Sequence, residues 1–182
     1  MTKLNRDAVI AAAFDLLDEV GLDRFSTRHL AKRLNVEQPA LYWHFKNKAD
    51  LMSAMAEAAM ARHRTRHLPG PDDDWRRWFV DNMLSFRSSL LAHRDGARLH
   101  AGSRPEGHDL ERLEAKLAFL IRCGLSDADA RRGLLAASRY TVGSVLEEQA
   151  EYGHGSLSEA DRTETFSAGI LLLVAGLASR LQ

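Results

Sequence analysis

Ser26-Thr27-Arg28-His29-Leu30-Ala31-Lys32-Arg33-Leu34-Asn35-Val36-Glu37-Gln38-Pro39-Ala40-Leu41-Tyr42-Trp43-His44-Phe45 is the stretch that decides the fold. Ser26 suits the cap of a short helix, because its hydroxyl can accept from a free N–H of the first turn. Leu30, Ala31 and Leu34 give that helix one apolar face. Asn35 tolerates the left-handed backbone of a tight turn. Gln38 and Pro39 suit the cap and first position of a further helix over about residues 40–45. Two short helices joined by a tight turn and braced by a preceding helix form a helix-turn-helix unit.

The flanks agree. Val9, Ile10, Ala13, Leu16, Leu17 and Val20 form an apolar stripe at helical spacing, stopped by Gly21 with Leu22 covering the end. Asn47 can cap a long fourth helix that ends before Pro69. Further helices are expected over about 75–91, 95–101, 108–122, 126–152 and 160–181, with breaks at 68–74, 103–107 and 153–158. Strand alternation is nearly absent, so the expected class is all-α.

The chain carries 25 basic and 25 acidic residues and has no formal net charge, but the distribution is uneven. Residues 1–23 balance at −3, whereas Arg24, Arg28, Lys32, Arg33, Lys46 and Lys48 against Glu37 leave 24–48 at +5. A basic segment beside an acidic one suits a phosphate-facing surface, although on charge alone a solvated helix face reads as well. Leu30, Ala31, Leu34, Val36, Leu41 and Phe45 hold the unit together and leave Thr27, Arg28, Gln38, Ala40, Tyr42, His44 and Lys48 to face outward. Arg28 can grip guanine and Gln38 adenine by two hydrogen bonds each, and Ala40 can meet a thymine methyl. Thr27, Tyr42, His44 and Lys48 can hold phosphates. Pro39 opens the reading helix and completes the DNA-facing set.

A lone Cys123 excludes a disulfide framework and a cysteine-based zinc site. Asn5, Arg6 and Asp7 break any secretory leader, and the apolar run 166–178 is too short to span a bilayer. The expectation is a cytoplasmic protein with no membrane partner. Catalysis is not expected. His100, Ser103 and Asp95 come without a G-x-S-x-G elbow, there is no glycine-rich phosphate loop, and His63 and His67 lack the glutamate of a metalloprotease helix.

The segment 37–48, EQPALYWHFKNK, with Ser26-Thr27-Arg28-His29-Leu30-Ala31 before it, resembles the signature of the tetracycline-repressor family. Ala40 stands where that family has threonine. The body resembles the tetracycline-repressor branch as well, through Ser85-Phe86-Arg87, residues 93–97 (HRDGA), residues 100–105 (HAGSRP), residues 117–120 (LAFL), Thr141-Val142-Gly143 and Val145-Leu146-Glu147. The resemblance implies a helix-turn-helix DNA-binding domain over 1–47. It implies a ligand-binding and dimerisation domain over 48–182, entered through a connecting helix over 48–67.

It also implies a site. His100 would ligate Mg2+ directly. Ser103, in place of threonine, and Glu147 of the partner subunit would hold the ion's waters. Asn82 would meet the ligand's polar edge, Phe86, Pro105 and Leu113 would line its apolar wall, and Arg104 would sit on the loop that shifts. Without the resemblance, His100 and the distant Glu147 would not suggest a metal site. Two positions depart from the pattern: Arg64 replaces a ligand-gripping histidine and Lys116 a glutamine. A buried cation needs a partner or an anionic ligand, so a related or more acidic polycyclic compound is expected. The stretch 153–165 also leaves little room for the family's long loop and lid helix, so either the lid is missing or the sequence omits a stretch there.

The last helix is apolar around most of its circumference, and Gly169, Ala175, Gly176 and Ala178 allow close approach. With Leu134, Leu135, Val142, Val145 and Leu146 it suits a four-helix dimer bundle, an intramolecular core being the other reading. Two heads would then read a palindromic operator on double-stranded DNA. A small-molecule inducer would shift the helix near His100, swing the connecting helix and change head spacing, with no organic cofactor. A sensor of another antibiotic or metabolite, an activator of efflux genes, and a protein-binding scaffold are the rival readings.

Overall fold

The structure is a computed structural model that describes residues 4–103, 108–150 and 157–181. Among them are ten helices and no strand. They fall into two compact units. The first runs to Ala61 and adds a segment from Ser89. The second holds Arg62–Ser88 and the chain beyond residue 104.

In the first unit, α1 (Arg6–Val20) opens on Asn5, whose Oδ1 accepts from the Ala8 N–H at 2.8 Å. Gly21 ends it at φ 75°, a left-handed backbone that costs glycine nothing. Ser26 caps α2 (Thr27–Arg33) by accepting from the His29 N–H. Asn35 takes the left-handed turn at φ 52°, and α3 (Gln38–Leu41) follows. Asn47 caps α4 (Lys48–Ala59), and α7 (Gly96–Ala101) completes the unit. Val9, Ala13, Leu17, Leu30, Leu41, Leu51 and Met55 are fully or almost fully buried. Each of the valine, leucine and methionine side chains contributes about 1.5–3 kcal/mol by leaving water, and the Ala13 methyl less. Val20, Leu34 and Val36, which the pattern places in the stripe and core, are only half-buried.

Asp95 joins α7 to the rest of the unit. Its φ is 56°, and its carboxylate accepts from the Leu22 N–H at 2.8 Å and from Arg98 Nη1 at 3.2 Å. Asp18 accepts from the Arg94 N–H at 2.8 Å and lies 3.0 Å from His93 Nδ1, and the His93 ring stacks on Phe14. Gly96 admits no side chain, since a Cβ there would lie 2.1 Å from the Leu90 carbonyl oxygen.

Three boundaries differ from the sequence expectation. The connecting helix expected over 48–67 stops at Ala59; Met60 turns back through an i→i+3 bond to Glu57 O, and a separate short helix, α5 (Ala61–Arg64), follows. The reading helix expected over about 40–45 is instead Gln38–Leu41, capped by Glu37 without a side-chain bond, with 42–45 in i→i+3 and i→i+4 turns. The compact unit also extends past residue 47, because Leu51, Ala54, Met55 and Ala56 of α4 are buried where it packs on α1 and α7.

In the second unit, α6 (Trp75–Leu91) supplies Trp75, Phe79 and Met83 to a core shared with α8 (His108–Arg122), α9 (Asp127–Gln149) and α10 (Glu159–Ala178). Leu117, Phe119, Leu120, Leu134, Phe166 and Ile170 fill it. Ser126 caps α9, and Ser158 with Asp161 forms a capping box on α10. Arg87 is 5% exposed and holds Glu148 through Nη2–Oε2 at 2.6 Å and Nε–Oε1 at 3.1 Å. Its guanidinium also lies over the Phe166 ring, 5.4 Å from the centroid.

Gly169 faces inward within the chain. A Cβ there would lie 2.1 Å from Tyr140 Oη and 2.5 Å from Cζ, with the Tyr140 ring stacked on Phe166. Gly169 therefore serves the α9–α10 contact of its own chain, rather than leaving space for a second chain as the sequence suggests. Gly169→Ala is expected to lower stability by about 1–2 kcal/mol despite alanine's better helix propensity, because the added methyl overpacks a filled site. Tyr140→Ala in the same chain is expected to remove that penalty. Urea unfolding at fixed protein concentration checks both.

Candidate functional site

The head presents a polar surface organised around one amide. Gln38 Nε2 donates to Thr27 Oγ1 at 2.9 Å and to Tyr42 Oη at 3.3 Å. The Thr27 and Gln38 contacts, in that order, hold the Tyr42 phenol below its ordinary range. Thr27, expected to face outward, is 8% exposed and points into this network. The correction has a simple cause: its only polar atom is taken by a side chain 11 residues away. A bidentate grip on adenine needs a Gln38 amide proton, so that contact requires the network to open.

Arg28, Pro39, Tyr42 and Lys48 are exposed, and Ala40 and His44 are half-buried. Lys48 Nζ donates to the Phe25 carbonyl at 3.1 Å, which pins the start of α4 to the turn before α2. The most exposed large apolar side chain of the chain's described residues is Trp43, at 88%. Sequence reasoning passed over it. The signal was present, because Leu41 and Phe45 are both buried and spaced i, i+4, which turns the residue midway between them outward. An exposed indole within a basic reading surface offers apolar and stacking contact to a nucleic acid.

The residues implied for a ligand fall in both units. In the first, His100 lies on α7, half-buried, and its carbonyl accepts from Ser103 Oγ at 2.7 Å. Arg104 and Pro105 lie outside the described residues. In the second, Asn82 and Phe86 are buried on α6. The Asn82 side chain is 7% exposed. Leu113, expected in an apolar wall, is exposed at 36%. Glu147 is exposed at the end of α9, while its neighbour Glu148 is committed to Arg87.

The two departures from the family pattern resolve differently. Arg64 forms an ion pair with Asp109, so its charge is balanced within the chain. Lys116 is half-buried, with Nζ 3.4 Å from His63 Nε2; His63 Nδ1 lies 3.1 Å from Ser85 Oγ. Burial, and then the charge of Arg112, push Lys116 down to about 8, with Asp109 opposing. No cluster of three or more His, Cys, Asp or Glu that would hold a metal exists among the described residues of one chain.

Two predictions follow from this geometry. Trp43→Ala is expected to weaken operator binding by at least ~5-fold with the urea midpoint unchanged, whereas Leu41→Ala costs about 2–5 kcal/mol of stability. The Lys116 amine titrates lower in the folded chain than unfolded. Its charge therefore destabilises the fold fully below about pH 8, and the penalty fades as pH rises toward the ordinary lysine value of 10.5. Lys116→Met is expected to raise stability at pH 7, by roughly 2 kcal/mol, and the gain shrinks between pH 8 and 10.5. Urea midpoints across that range measure it.

Comparison with known proteins adds independent weight. Residues 9–55 match the model of bacterial regulatory proteins of the tetR family, and residues 68–169 match the tetracyclin repressor-like C-terminal domain. The tetracycline repressor protein class A from transposon 1721 of Escherichia coli is 46% identical, covering 99% of this chain and 93% of that protein. That alignment spans 201 positions against 182 residues here, so this chain leaves at least 19 of them empty. The shortening expected after Tyr152 falls partly on residues 151–156, outside the described residues. A variant TetR from Acinetobacter baumannii in complex with minocycline is 47% identical, with a TM-score of 0.88 over 99% of this chain and all of that one. TetR class A in complex with 5a,6-anhydrotetracycline and magnesium is 47% identical, with a TM-score of 0.83 over 97% of this chain and 99% of that one. Both family models match in chain order and together cover most of its length, so the chain belongs to the tetR family of bacterial regulatory proteins.

Proposed function

We propose that this chain is a ligand-responsive transcriptional repressor. It binds a palindromic operator as a dimer and is released by tetracycline with Mg2+ or by a related polycyclic compound. The observation that carries the reading is the helix-turn-helix head itself, with Arg28, Tyr42, Trp43 and Lys48 exposed together on a segment of net positive charge. Nothing in this reading calls for catalysis, and its place of action is wherever the operator DNA lies. No helix among the described residues is long and apolar enough to cross a membrane.

Dimerisation follows from faces that one chain leaves uncovered. Leu172 is 75% exposed, and Leu171 and Leu135 are also exposed. Cβ atoms built on Gly143 and Gly176 would meet nothing within 4 Å. Open glycines beside exposed leucines on α9 and α10 suit a close helix contact with a second copy.

The donor set fits magnesium that arrives with its ligand. Mg2+ keeps several waters and uses few direct protein ligands, so one imidazole from His100 with water-bridged Ser103 and Glu147 of the partner subunit is a sufficient set. Ser103 donates its proton to the His100 carbonyl, which leaves its oxygen lone pairs to accept from a metal-bound water. When bound, the ion would supply a cation that orients a keto-enol oxygen pair. The buried Asn82 would take the ligand's polar edge.

A second reading, a sensor of a different ligand, is favoured by one observation: Arg64 and Lys116 replace neutral groups by cations.

The test is fluorescence anisotropy of a labelled tetracycline-repressor-type operator. The expected outcome is salt-dependent binding, weakened about 5–150-fold by tetracycline with Mg2+ and restored by chelating the ion. Binding that ignores tetracycline at millimolar Mg2+ would overturn the tetracycline reading and leave the second one standing.

A further inference from the structure

Gln38 is the first residue of α3, the place from which a reading helix reaches base edges in the major groove. Its side chain ends in one acceptor, Oε1, and one nitrogen that carries two protons. Both protons have partners within the head. Nε2 donates to Thr27 Oγ1 at 2.9 Å and to Tyr42 Oη at 3.3 Å. Thr27 also meets the Tyr42 phenol, so the three groups close a set of bonds. What remains for a base is Oε1 with its lone pairs.

Thr27 anchors this set. It opens α2 and is 8% exposed, whereas Gln38 and Tyr42 stand at the two ends of α3. Freeing an amide proton would leave a buried hydroxyl without its partner, a cost that contact with DNA would have to offset. The orientation of the amide also serves Tyr42. The phenol oxygen accepts from within the head, which leaves its own proton to donate to a phosphate. With the amide turned over, both hydroxyls would spend their protons on Oε1 and Tyr42 would have none for the DNA backbone.

Adenine presents two atoms in the major groove, N7 as an acceptor and the N6 amino group as a donor. A glutamine with free amide protons takes both. A glutamine whose protons are committed takes only the amino group.

We propose that Thr27 is a specificity-determining positioning residue of the operator contact: with Tyr42 it holds the amide protons of Gln38, so that Gln38 reads adenine through N6 alone and not through N7. The proposal rests on the reading of the head as an operator-binding surface and deepens it by naming the atom that is read. It replaces the two-bond grip on adenine expected from residue type with a single accepted bond.

The experiment is fluorescence anisotropy of the full-length protein with a labelled tetracycline-repressor-type operator. Each adenine is replaced in turn, in both half-sites, by nebularine, which lacks the N6 amino group, and by 7-deazaadenine, which lacks N7. At one adenine, nebularine is expected to weaken wild-type binding at least ~5-fold, and Gln38→Ala to abolish that loss, which identifies the base. At the same adenine, 7-deazaadenine is expected to change wild-type affinity less than about 2-fold. Thr27→Ala frees an amide proton, so 7-deazaadenine is expected to cost that variant at least ~5-fold, whereas Thr27→Ser keeps the hydroxyl and the wild-type tolerance. Urea unfolding establishes that each variant is folded, and the wild-type response to 7-deazaadenine remains decisive if Thr27→Ala unfolds.

A loss of ~5-fold or more with 7-deazaadenine in the wild-type protein would overturn the proposal. So would the absence of any adenine whose amino group Gln38 reads, or a folded Thr27→Ala variant with the wild-type pattern. Binding of the unmodified operator separates the two levels. If it is tight and salt-dependent while one of these results is obtained, only the N6 readout falls; if it is absent, the operator reading falls and the N6 readout with it.

Discussion

Asp95 is the point on which the N-terminal unit turns. One oxygen of its carboxylate accepts from the Leu22 N–H just past the end of α1, and the other meets Arg98 one turn into α7. Its own backbone is left-handed. A segment more than seventy residues downstream is thereby fastened to the corner that precedes the reading helices. Arg98 carries the connection on to Asp23 through Nη2–Oδ1 at 2.7 Å, and Asp18 holds both His93 and the Arg94 backbone. These bonds are individually modest because most of the partners are exposed. Their effect is geometric: the helix that carries His100 and the helices that present Arg28 and Trp43 belong to one packed body. Any ligand that repositions α7 acts on the unit that reads DNA.

The parts legible in the sequence are those determined within one turn of the chain. Ser26 and Asn47, read as caps, and Ser126, read as a helix start, each cap a helix through a backbone N–H three residues on; Asn5 and Ser158, which were not singled out as caps, do the same. Asn35 takes the left-handed turn that its short polar side chain tolerates. What escaped is set by pairs distant in sequence. Thr27 turns inward because Gln38 finds it across a turn, and Arg64 is neutralised by Asp109, 45 residues away. Arg87 looked like one residue of a matching tripeptide and proved to be a buried clamp on Glu148, 61 residues on. The break at Met60 was also hidden, since an alanine- and methionine-rich run has no local reason to stop. Trp43 is the opposite case: its exposure could be read from Leu41 and Phe45, had the three consecutive aromatic and histidine residues been sorted by facing.

The ligand-site residues show the same division more sharply. Residue types such as His100, Asn82 and Glu147 carry meaning only through resemblance, because a single imidazole or amide is compatible with many surroundings. The structure adds what each is doing in this chain. Asn82 is buried, Glu147 is exposed beside a committed neighbour, and of two cations that looked alike in the sequence one is neutralised and the other is not. Burial plus the state of the partner, rather than formal charge, separates Arg64 from Lys116.

The contact at Gly96 has a consequence for inheritance. A Cβ there would strike the Leu90 carbonyl oxygen, a backbone atom that no rotamer change can move aside. Every missense change at residue 96 adds at least that one atom. The position therefore has a single viable allele, set by the space beside a peptide group rather than by any chemistry of recognition. Its invariance across descendants of this gene would record the packing of α7 and carry no information about which drug or operator they have come to prefer.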